Sequence, residues 1–180
     1  MSRVPYPPLD ALSPVKHDWI LGRPRKYTLN VTKMMLHVPD GLWQPATQLA
    51  VATVTAVEIA PKLREMIIVR LAHLEQSDYE LFHHRSIASG YGVTAEQLAA
   101  LESDDIEGAC FDEAERAMLR YASELAVRIS PGDATLAAAR AHYSDAILFE
   151  VIVIIGYYMM TARIIAVGGV ERDEAAVTAW

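Results

Sequence analysis

Hydrophobic residues recur along most of the chain three or four positions apart, the spacing that gathers them on one face of an α-helix. The clearest run follows Pro61, since proline is tolerated in the first turn of a helix; it consists of Leu63, Met66, Ile67, Leu71 and Leu74. Nowhere do apolar and polar residues alternate cleanly over the roughly four to eight positions of a half-buried strand. The pattern therefore predicts an all-α protein.

Boundary signals divide this pattern into about seven or eight helices. Thr94-x-x-Gln97 and Asp112-x-x-Glu115 are capping boxes, which predict helix starts. Two glycines, Gly168 and Gly169, predict the end of the last helix. The predicted helices cover 31–37, about 45–58, 61–74, 78–89, and stretches that begin at 94, 112, 133 and 144 or 145. The last of these is predicted to be the most buried.

The first 26 residues differ from this helical part because they are rich in proline: Pro5, Pro7, Pro8, Pro14 and Pro24. Proline interrupts regular structure. We therefore predict an irregular N-terminal arm over residues 1–26, which wraps the domain or a neighbouring subunit. A single helical domain over residues 27–180 follows, with no internal repeat and no second boundary.

One part of the last predicted helix has to be tested as a membrane span. Residues 151–162 carry no charge, but Glu150 and Arg163 bracket them. A transmembrane helix needs about 20 predominantly apolar residues. The uncharged stretch falls short of that length, so it predicts a buried core helix and no membrane partner.

Length and composition fit one soluble domain. Of the 180 residues, 52% are hydrophobic and 22% are charged, which is too apolar for a disordered chain. The net charge is −7 and the basic residues are scattered, so we expect no nucleic-acid partner. The single cysteine, Cys110, cannot form an internal disulfide. Together with the absence of a visible secretory signal, this predicts a cytoplasmic protein.

The candidate chemistry lies in two consecutive predicted helices. Glu80 and His84 are four residues apart and share a helix face, and Ser77 stands one turn earlier on the same side. If the preceding helix packs antiparallel, Glu65 approaches this face. Two carboxyl groups and an imidazole in an apolar setting can shuttle protons. As an alternative, Glu65, Glu80 and His84 supply ligands to a divalent metal.

Tyr79 and His83 form a second pair four residues apart on an adjoining face. We predict that they bind substrate together with Ser77. Ser77-x-x-Glu80 also has the pattern of a plain capping box, and the two interpretations are compatible. A helix N-terminus stabilises an anion, so Glu80 is expected to serve as a base or ligand rather than as a proton donor.

The spacing of these residues resembles that of the carboxymuconolactone decarboxylase and alkylhydroperoxidase D-like (AhpD-like) superfamily. The peroxidase branch of that superfamily has a glutamate, eleven residues, and then Cys-x-x-Cys-x-x-x-His; this chain has Glu65, eleven residues, and then Ser77-x-x-Glu80-x-x-x-His84. The resemblance covers about residues 28–174. Further similar stretches lie at 36–39, 64–68, 79–84, 156–158 with Arg163, and 169–171.

The resemblance implies an AhpD-like multi-helix bundle that forms a homo-oligomer, a dimer, trimer or hexamer. Ser77 and Glu80 stand where the branch has its two redox cysteines, and Cys110 lies outside the motif. Thiol peroxidase activity needs a thiolate that attacks the peroxide, so the sequence argues against it. What remains resembles the decarboxylase branch, a lyase that removes a carboxyl group from a lactone ring.

These observations predict acid/base catalysis on a small organic substrate, such as a lactone or ring carboxylate, without a cofactor. Decarboxylation, isomerisation and hydration are the candidate reactions. Glu80 or His84 is the expected general base, Glu65 orients it or shares its proton, and Ser77 or Tyr79 bonds the substrate oxygen. A non-catalytic binding protein that keeps the fold stays open as an alternative.

Overall fold

The computed structural model describes residues 2–22 and 28–178. Over these residues the chain forms α-helices and no strand, which confirms the all-α prediction. Nine α-helices are described there: α1 (Pro14–Leu21), α2 (Asn30–Met35), α3 (Asp40–Thr55), α4 (Pro61–Leu74), α5 (Asp78–Gly90), α6 (Ala95–Glu102), α7 (Glu113–Val127), α8 (Asp133–Arg140) and α9 (Asp145–Gly168).

The N-terminal arm is more regular than predicted. A 3₁₀ turn (Leu9–Ala11) precedes α1, whose first turn contains Pro14. The expectation of an irregular arm is wrong for these residues, because a proline that begins a helix cannot be told by composition from one that breaks it. The predicted boundary at residues 26 and 27 lies outside the described residues.

The start of the arm packs on the end of α9. The backbone N–H groups of Arg3 and Val4 donate to the carbonyl of Gly168 at 2.8 and 3.0 Å. Gly169 follows in a left-handed conformation (φ 60°), where a Cβ would lie 2.7 Å from the backbone nitrogen of Arg3. Glycine is therefore required here both for the backbone angle and for the close approach. The arm wraps its own domain at this point.

Helix α3 begins five residues earlier than predicted and contains Pro45 in its interior. A proline inside a helix removes one hydrogen bond to the carbonyl four residues before it, here that of Gly41. Both residues are exposed, so water can satisfy this carbonyl. The interpretation of Pro45 as the start of the helix is therefore wrong.

Helix α4 is the centre of the fold. Ten consecutive residues of α4, from 63 to 72, are buried, and the helix packs against α5, α6, α7 and α9. The prediction that the last helix is the most buried is therefore wrong. The difference arises because α4 carries three buried charged residues, Arg64, Glu65 and Arg70, which the sequence pattern alone would leave exposed.

Helix α9 is, among the described residues, the one helix long and apolar enough to cross a membrane by length and composition. It packs against α2, α3, α4, α7 and α8, however, and Leu148, Val151 and Ile154 belong to the main core. These contacts are those of a core helix. Phe149 and Val153 remain exposed on its other side, and the homo-oligomer that would cover them stays a prediction.

Candidate active site

The candidate site lies where α4 and α5 pack against each other. Residues 75–77 connect the two helices, and Gln76 has a left-handed backbone conformation (φ 54°) at the reversal. So short a connection makes neighbouring helices antiparallel. Residues early in α4 therefore face the middle of α5, and Glu65 contacts His84.

Glu65 is completely buried and has two partners. Its Oε2 lies 2.8 Å from Nδ1 of His84. Its Oε1 accepts hydrogen bonds from Nε and Nη2 of Arg64 at 3.1 and 3.0 Å. Arg64 is itself only 2% exposed, so this ion pair is internal. The carboxylate links a buried guanidinium to a buried imidazole, an arrangement in which each charge is compensated.

Glu80 lies one helical turn before His84 and is 4% exposed. Burial raises the pKa of its carboxyl from 4.5 to about 8; the nearby Ser77 hydroxyl opposes this shift and the charge of Glu75 adds to it. The Oε1 atom of Glu80 and the Oγ atom of Ser77 are both buried, and neither reaches a hydrogen-bond partner. The Ser77 hydroxyl is thus close enough to Glu80 to affect its pKa, but the distance and angle between these two side chains are not those of a formed hydrogen bond.

The capping box predicted for Ser77 and Glu80 does not form. Ser77 is the N-cap of α5 but makes no side-chain cap hydrogen bond, whereas the boxes at Thr94 and Asp112 are present. The expectation that the helix N-terminus keeps Glu80 ionised is wrong too, because burial outweighs it and raises the pKa. At neutral pH Glu80 is mostly protonated and can donate a hydrogen bond.

Tyr79 and His83 hold the C-terminal tail that follows α9. The Tyr79 hydroxyl donates to Oδ2 of Asp173 and accepts from the backbone N–H of Val31 at 3.2 Å. Nε2 of His83 lies 3.1 Å from the same Asp173 oxygen, and Nδ1 accepts from the N–H of Val177 at 3.1 Å. The polar atoms predicted to bind substrate therefore bond within the chain.

A cavity of about 440 Å³ adjoins this cluster. Glu80 and His84 line it, whereas Glu65 does not, and Ser77 lines a neighbouring cavity of about 270 Å³. The volume of the larger cavity is in the range of small-molecule sites, which are mostly apolar with a few placed polar groups. Its aromatic walls are formed by Trp19, Trp43, Tyr79, Tyr91, Tyr157 and Tyr158.

The alternative of a metal site finds no support in the geometry. Within residues 2–22 and 28–178, no three His, Cys, Asp or Glu side chains are grouped so that they could hold a metal ion. Glu65, which this alternative needs as a ligand, is bonded by the guanidinium of Arg64. A positive charge at that distance opposes a divalent cation on the same carboxylate.

The pattern of the carboxymuconolactone decarboxylase family matches residues 44–124, which include Glu65, Ser77, Glu80 and His84. The fold around these residues is that of AhpD-like proteins. A segment that matches the carboxymuconolactone decarboxylase family therefore lies within an AhpD-like fold. This confirms the resemblance predicted from the motif spacing.

Two solved structures are similar to this chain over nearly its whole length. One is an uncharacterized peroxidase-related protein from Ralstonia eutropha JMP134, described as an alkylhydroperoxidase AhpD core; it is 21% identical, with 96% of this chain and 93% of that chain covered and a TM-score of 0.80. The other is an uncharacterized peroxidase-related protein from Silicibacter sp. TM1040, 17% identical, with 97% and 96% covered and a TM-score of 0.78. At these identities the similarity shows the fold alone. No curated protein matches the chain.

The thiol of this AhpD-like chain lies apart from the site. Cys110 is half-buried in the loop between α6 and α7, and it does not line the cavity. Burial raises the pKa of its thiol, which keeps it protonated, whereas a peroxidatic cysteine reacts as the thiolate. The structure thus places Cys110 away from the cavity, in surroundings that disfavour the thiolate.

Sequence reasoning misses two residues of the site. Arg64 stands next to Glu65, and two adjacent opposite charges in a sequence suggest an ion pair on the surface. In the structure both residues are buried. Asp173, which bonds Tyr79 and His83, escapes prediction because 90 residues separate it from His83. A charged pair inside an otherwise apolar helix could have indicated that Arg64 is buried. Nothing in the sequence indicates that Asp173 bonds Tyr79 and His83.

Replacing Glu80 with glutamine is expected to change how stability depends on pH. The carboxyl pKa is about 8 in the folded chain and 4.5 ordinarily. As pH rises between these values, the unfolded chain releases a proton that the folded chain retains, so the folded state loses stability. From about pH 5 to about pH 8.5, the unfolding free energy in urea should fall by a few kcal/mol more in the wild type than in the variant. Equal pH dependence in both proteins would contradict the raised pKa.

Proposed function

We propose that this protein catalyses proton transfer on a small organic molecule bound in the larger cavity. The observation that supports this most is that a histidine held by a buried carboxylate and a protonated glutamic acid line the same cavity. A base and an acid at one site allow a proton to leave one atom of a substrate while another atom is stabilised. The match of residues 44–124 to the carboxymuconolactone decarboxylase family supports an enzyme of the decarboxylase kind.

In this proposal His84 is the general base. Glu65 holds the ring through Nδ1 at 2.8 Å, which orients the imidazole as the carboxylate of a catalytic triad does. His84 lines the cavity, so the proton moves at Nε2, the nitrogen that does not bond Glu65. Glu65 is then a positioning residue, and His84 is the residue that contacts the substrate.

Glu80 is the acid that works together with this base. Because burial raises its pKa to about 8, it carries a proton at neutral pH and can donate a hydrogen bond to a substrate carbonyl oxygen. When His84 removes a proton from the adjacent carbon, the electron pair moves towards that oxygen and Glu80 stabilises the enolate. Return of the proton to a different carbon is an isomerisation. A substrate with a carboxylate on that carbon can lose CO₂ instead, which leaves the same enolate. A proton from solvent, delivered by His84, then takes the place of the carboxylate.

The substrate class proposed is a lactone, a ring ketone or a ring carboxylate. Aromatic side chains, including Trp43 and Tyr158, give the cavity flat apolar walls, on which a planar ring packs well. Tyr79 and His83 contribute ring surface to these walls, while their polar atoms hold the tail. Ser77, predicted to bind substrate, lines the smaller cavity and is not given a role in the proton transfer.

Exchange of carbon-bound hydrogen tests the proposal and does not require that the product be identified. The protein is incubated in D₂O with lactones, ring ketones and ring carboxylates, and proton NMR follows the C–H signal beside the carbonyl. We expect at least one compound to exchange or react faster than in buffer. Because protonated Glu80 is required, the rate should fall as pH rises through about 8.

The Glu80→Gln variant is the control for this pH dependence. Its amide keeps an N–H donor but cannot ionise, so the residual rate should lack the decline above about pH 8. If no compound exchanges or reacts, in a panel that covers all three classes, the proposed function is wrong. If the decline persists in Glu80→Gln, another group is responsible for it.

A further inference from the structure

Arg64 is a prominent buried group to which the proposed reaction assigns no role. It is 2% exposed and does not line the cavity. Nε and Nη2 donate to Oε1 of Glu65, and Nη1 donates to the carbonyl of Val54 at 3.2 Å. The guanidinium carbon also lies 5.7 Å from the centre of the Tyr91 ring. These contacts hold one positive charge at a fixed place beside one oxygen of Glu65.

The number of protons shared by Glu65 and His84 decides whether the histidine can be a base. With one proton, on Nδ1 of His84, the imidazole donates to Oε2 of the ionised carboxylate and Nε2 keeps its lone pair. With two protons, the second lies on Nε2, whether the first remains on Nδ1 or moves to Oε2. The 2.8 Å distance between Nδ1 and Oε2 suits either state. Only the first state leaves Nε2 able to accept a proton.

The charge of Arg64 selects between these states. Beside the guanidinium, the one-proton pair is electrically compensated, because the negative carboxylate meets a positive charge. Without the guanidinium, the same pair would leave a negative charge in a completely buried position, which is strongly unfavourable. Uptake of a second proton would remove that charge and would block Nε2.

We propose that Arg64 is a positioning residue, whose charge holds the Glu65–His84 pair at one proton and so keeps Nε2 of His84 unprotonated, as a base must be. This inference rests on the proposed function, because the state of Nε2 matters only if His84 acts on a substrate. It concerns a protonation pattern, however, which can be measured with no substrate present.

The neighbouring histidine provides an internal reference. Nδ1 of His83 accepts from the backbone N–H of Val177, so Nε2 of His83 carries the proton and faces Asp173. His83 and His84 are therefore expected to show opposite patterns, with the unprotonated nitrogen at Nδ1 in the first and at Nε2 in the second. Arg64 makes no bond to His83, whose pattern should not change in any Arg64 variant.

The experiment is a two-bond ¹H–¹⁵N correlation spectrum of the histidine side chains in the full chain at neutral pH, with the signals assigned from His83→Ala and His84→Ala. In the wild type, Nε2 of His84 should have the shift of an unprotonated nitrogen. A protonated Nε2 in the wild type overturns the proposal at once. The wild-type spectrum needs no substitution at Arg64, so it tests the proposal even if an Arg64 variant fails to fold.

Variants then test the charge itself. Arg64→Met should move Nε2 of His84 to the protonated shift, whereas Arg64→Lys, which keeps the charge, should leave it unprotonated. The matched control is Arg70→Met, since Arg70 is buried on the same helix and bonds Leu101 and Asp104 instead. It should alter stability without moving the His84 signals. An unprotonated Nε2 in folded Arg64→Met, or a change in Arg70→Met alone, overturns the proposal.

Turnover separates this inference from the proposed function. In Arg64→Met, kcat should fall on the order of 100-fold because the base is blocked. KM should change much less, because Arg64 does not itself line the cavity and reaches its wall only through Val54 and Tyr91. If Nε2 becomes protonated and kcat is unchanged, Arg64 sets the protonation state but His84 is not the base. If kcat falls while Nε2 stays unprotonated, His84 keeps its role and the proposal for Arg64 is wrong.

Discussion

Replacing His84 with alanine is expected to lower turnover by about 1,000-fold, because a positioned general base contributes about 10²–10⁴ to the rate. His84 lines the cavity and is held through Nδ1 by Glu65, so the variant removes both the base and its orientation. Binding should persist, since the aromatic walls remain. The deuterium-exchange rate measures the loss, and a ligand-induced rise in melting temperature shows that the site still binds.

Adding Glu80→Gln to this variant should lower the rate by no more than about a further tenfold, because residues that act in one step are not additive. The control is His142→Ala, which replaces an exposed histidine that does not line the cavity and should retain wild-type turnover. If the double variant kept a rate within about tenfold of the wild type, neither residue would be part of the chemistry.

Local signals predict most of the fold. Thr94 and Asp112 each begin a helix with a reciprocal capping box, and Gly169 ends α9 in a left-handed conformation. Such signals involve residues three or four positions apart, so they can be read from the sequence. Pro14 and Pro45 mislead because one proline residue is compatible with a helix start, an exposed helix interior or a break.

Burial of charge cannot be predicted in the same way. Helix α4 has two arginines and a glutamate among its buried residues, and a helix with charges at these positions is ordinarily taken to expose them. Whether they are buried depends on partners elsewhere, such as the carbonyl of Leu101, which is 31 residues from Arg70. Helix α9 has an uncharged centre, so its sequence predicts deeper burial than that of α4, although α4 is the more buried helix in the structure.

In the candidate site, too, features that depend on local spacing can be predicted from the sequence, and features that depend on burial cannot. The spacing of Glu65, Ser77, Glu80 and His84 places the residues on two adjacent helices, because it depends on helix geometry and a short connection. The protonation of Glu80 cannot be read from it, because the pKa follows from desolvation by the whole fold. The helix N-terminus, which is a local feature, points in the opposite direction.

The second large effect is expected on stability. Glu65→Leu removes the carboxylate that compensates Arg64, and both side chains are at most 2% exposed. Breaking a buried pair by removing one partner costs about 3–5 kcal/mol, because the other charge remains buried. Equilibrium unfolding in urea should show this loss as a lower midpoint with an unchanged slope.

The double variant Arg64→Met, Glu65→Leu should regain most of that loss. Two apolar side chains of similar volume need no compensation, and replacing a whole buried pair is often neutral or stabilising. The control is Asp104→Asn, which removes the carboxylate that bonds Arg70 of α4; because the Asp104 side chain is 66% exposed, water screens this pair and the loss of stability should be much smaller than in Glu65→Leu. If Glu65→Leu cost as little as Asp104→Asn, the buried charge at Arg64 would have to be compensated by another group. A double variant as unstable as Glu65→Leu would show instead that the packing of the carboxylate, rather than the unpaired guanidinium, accounts for the loss.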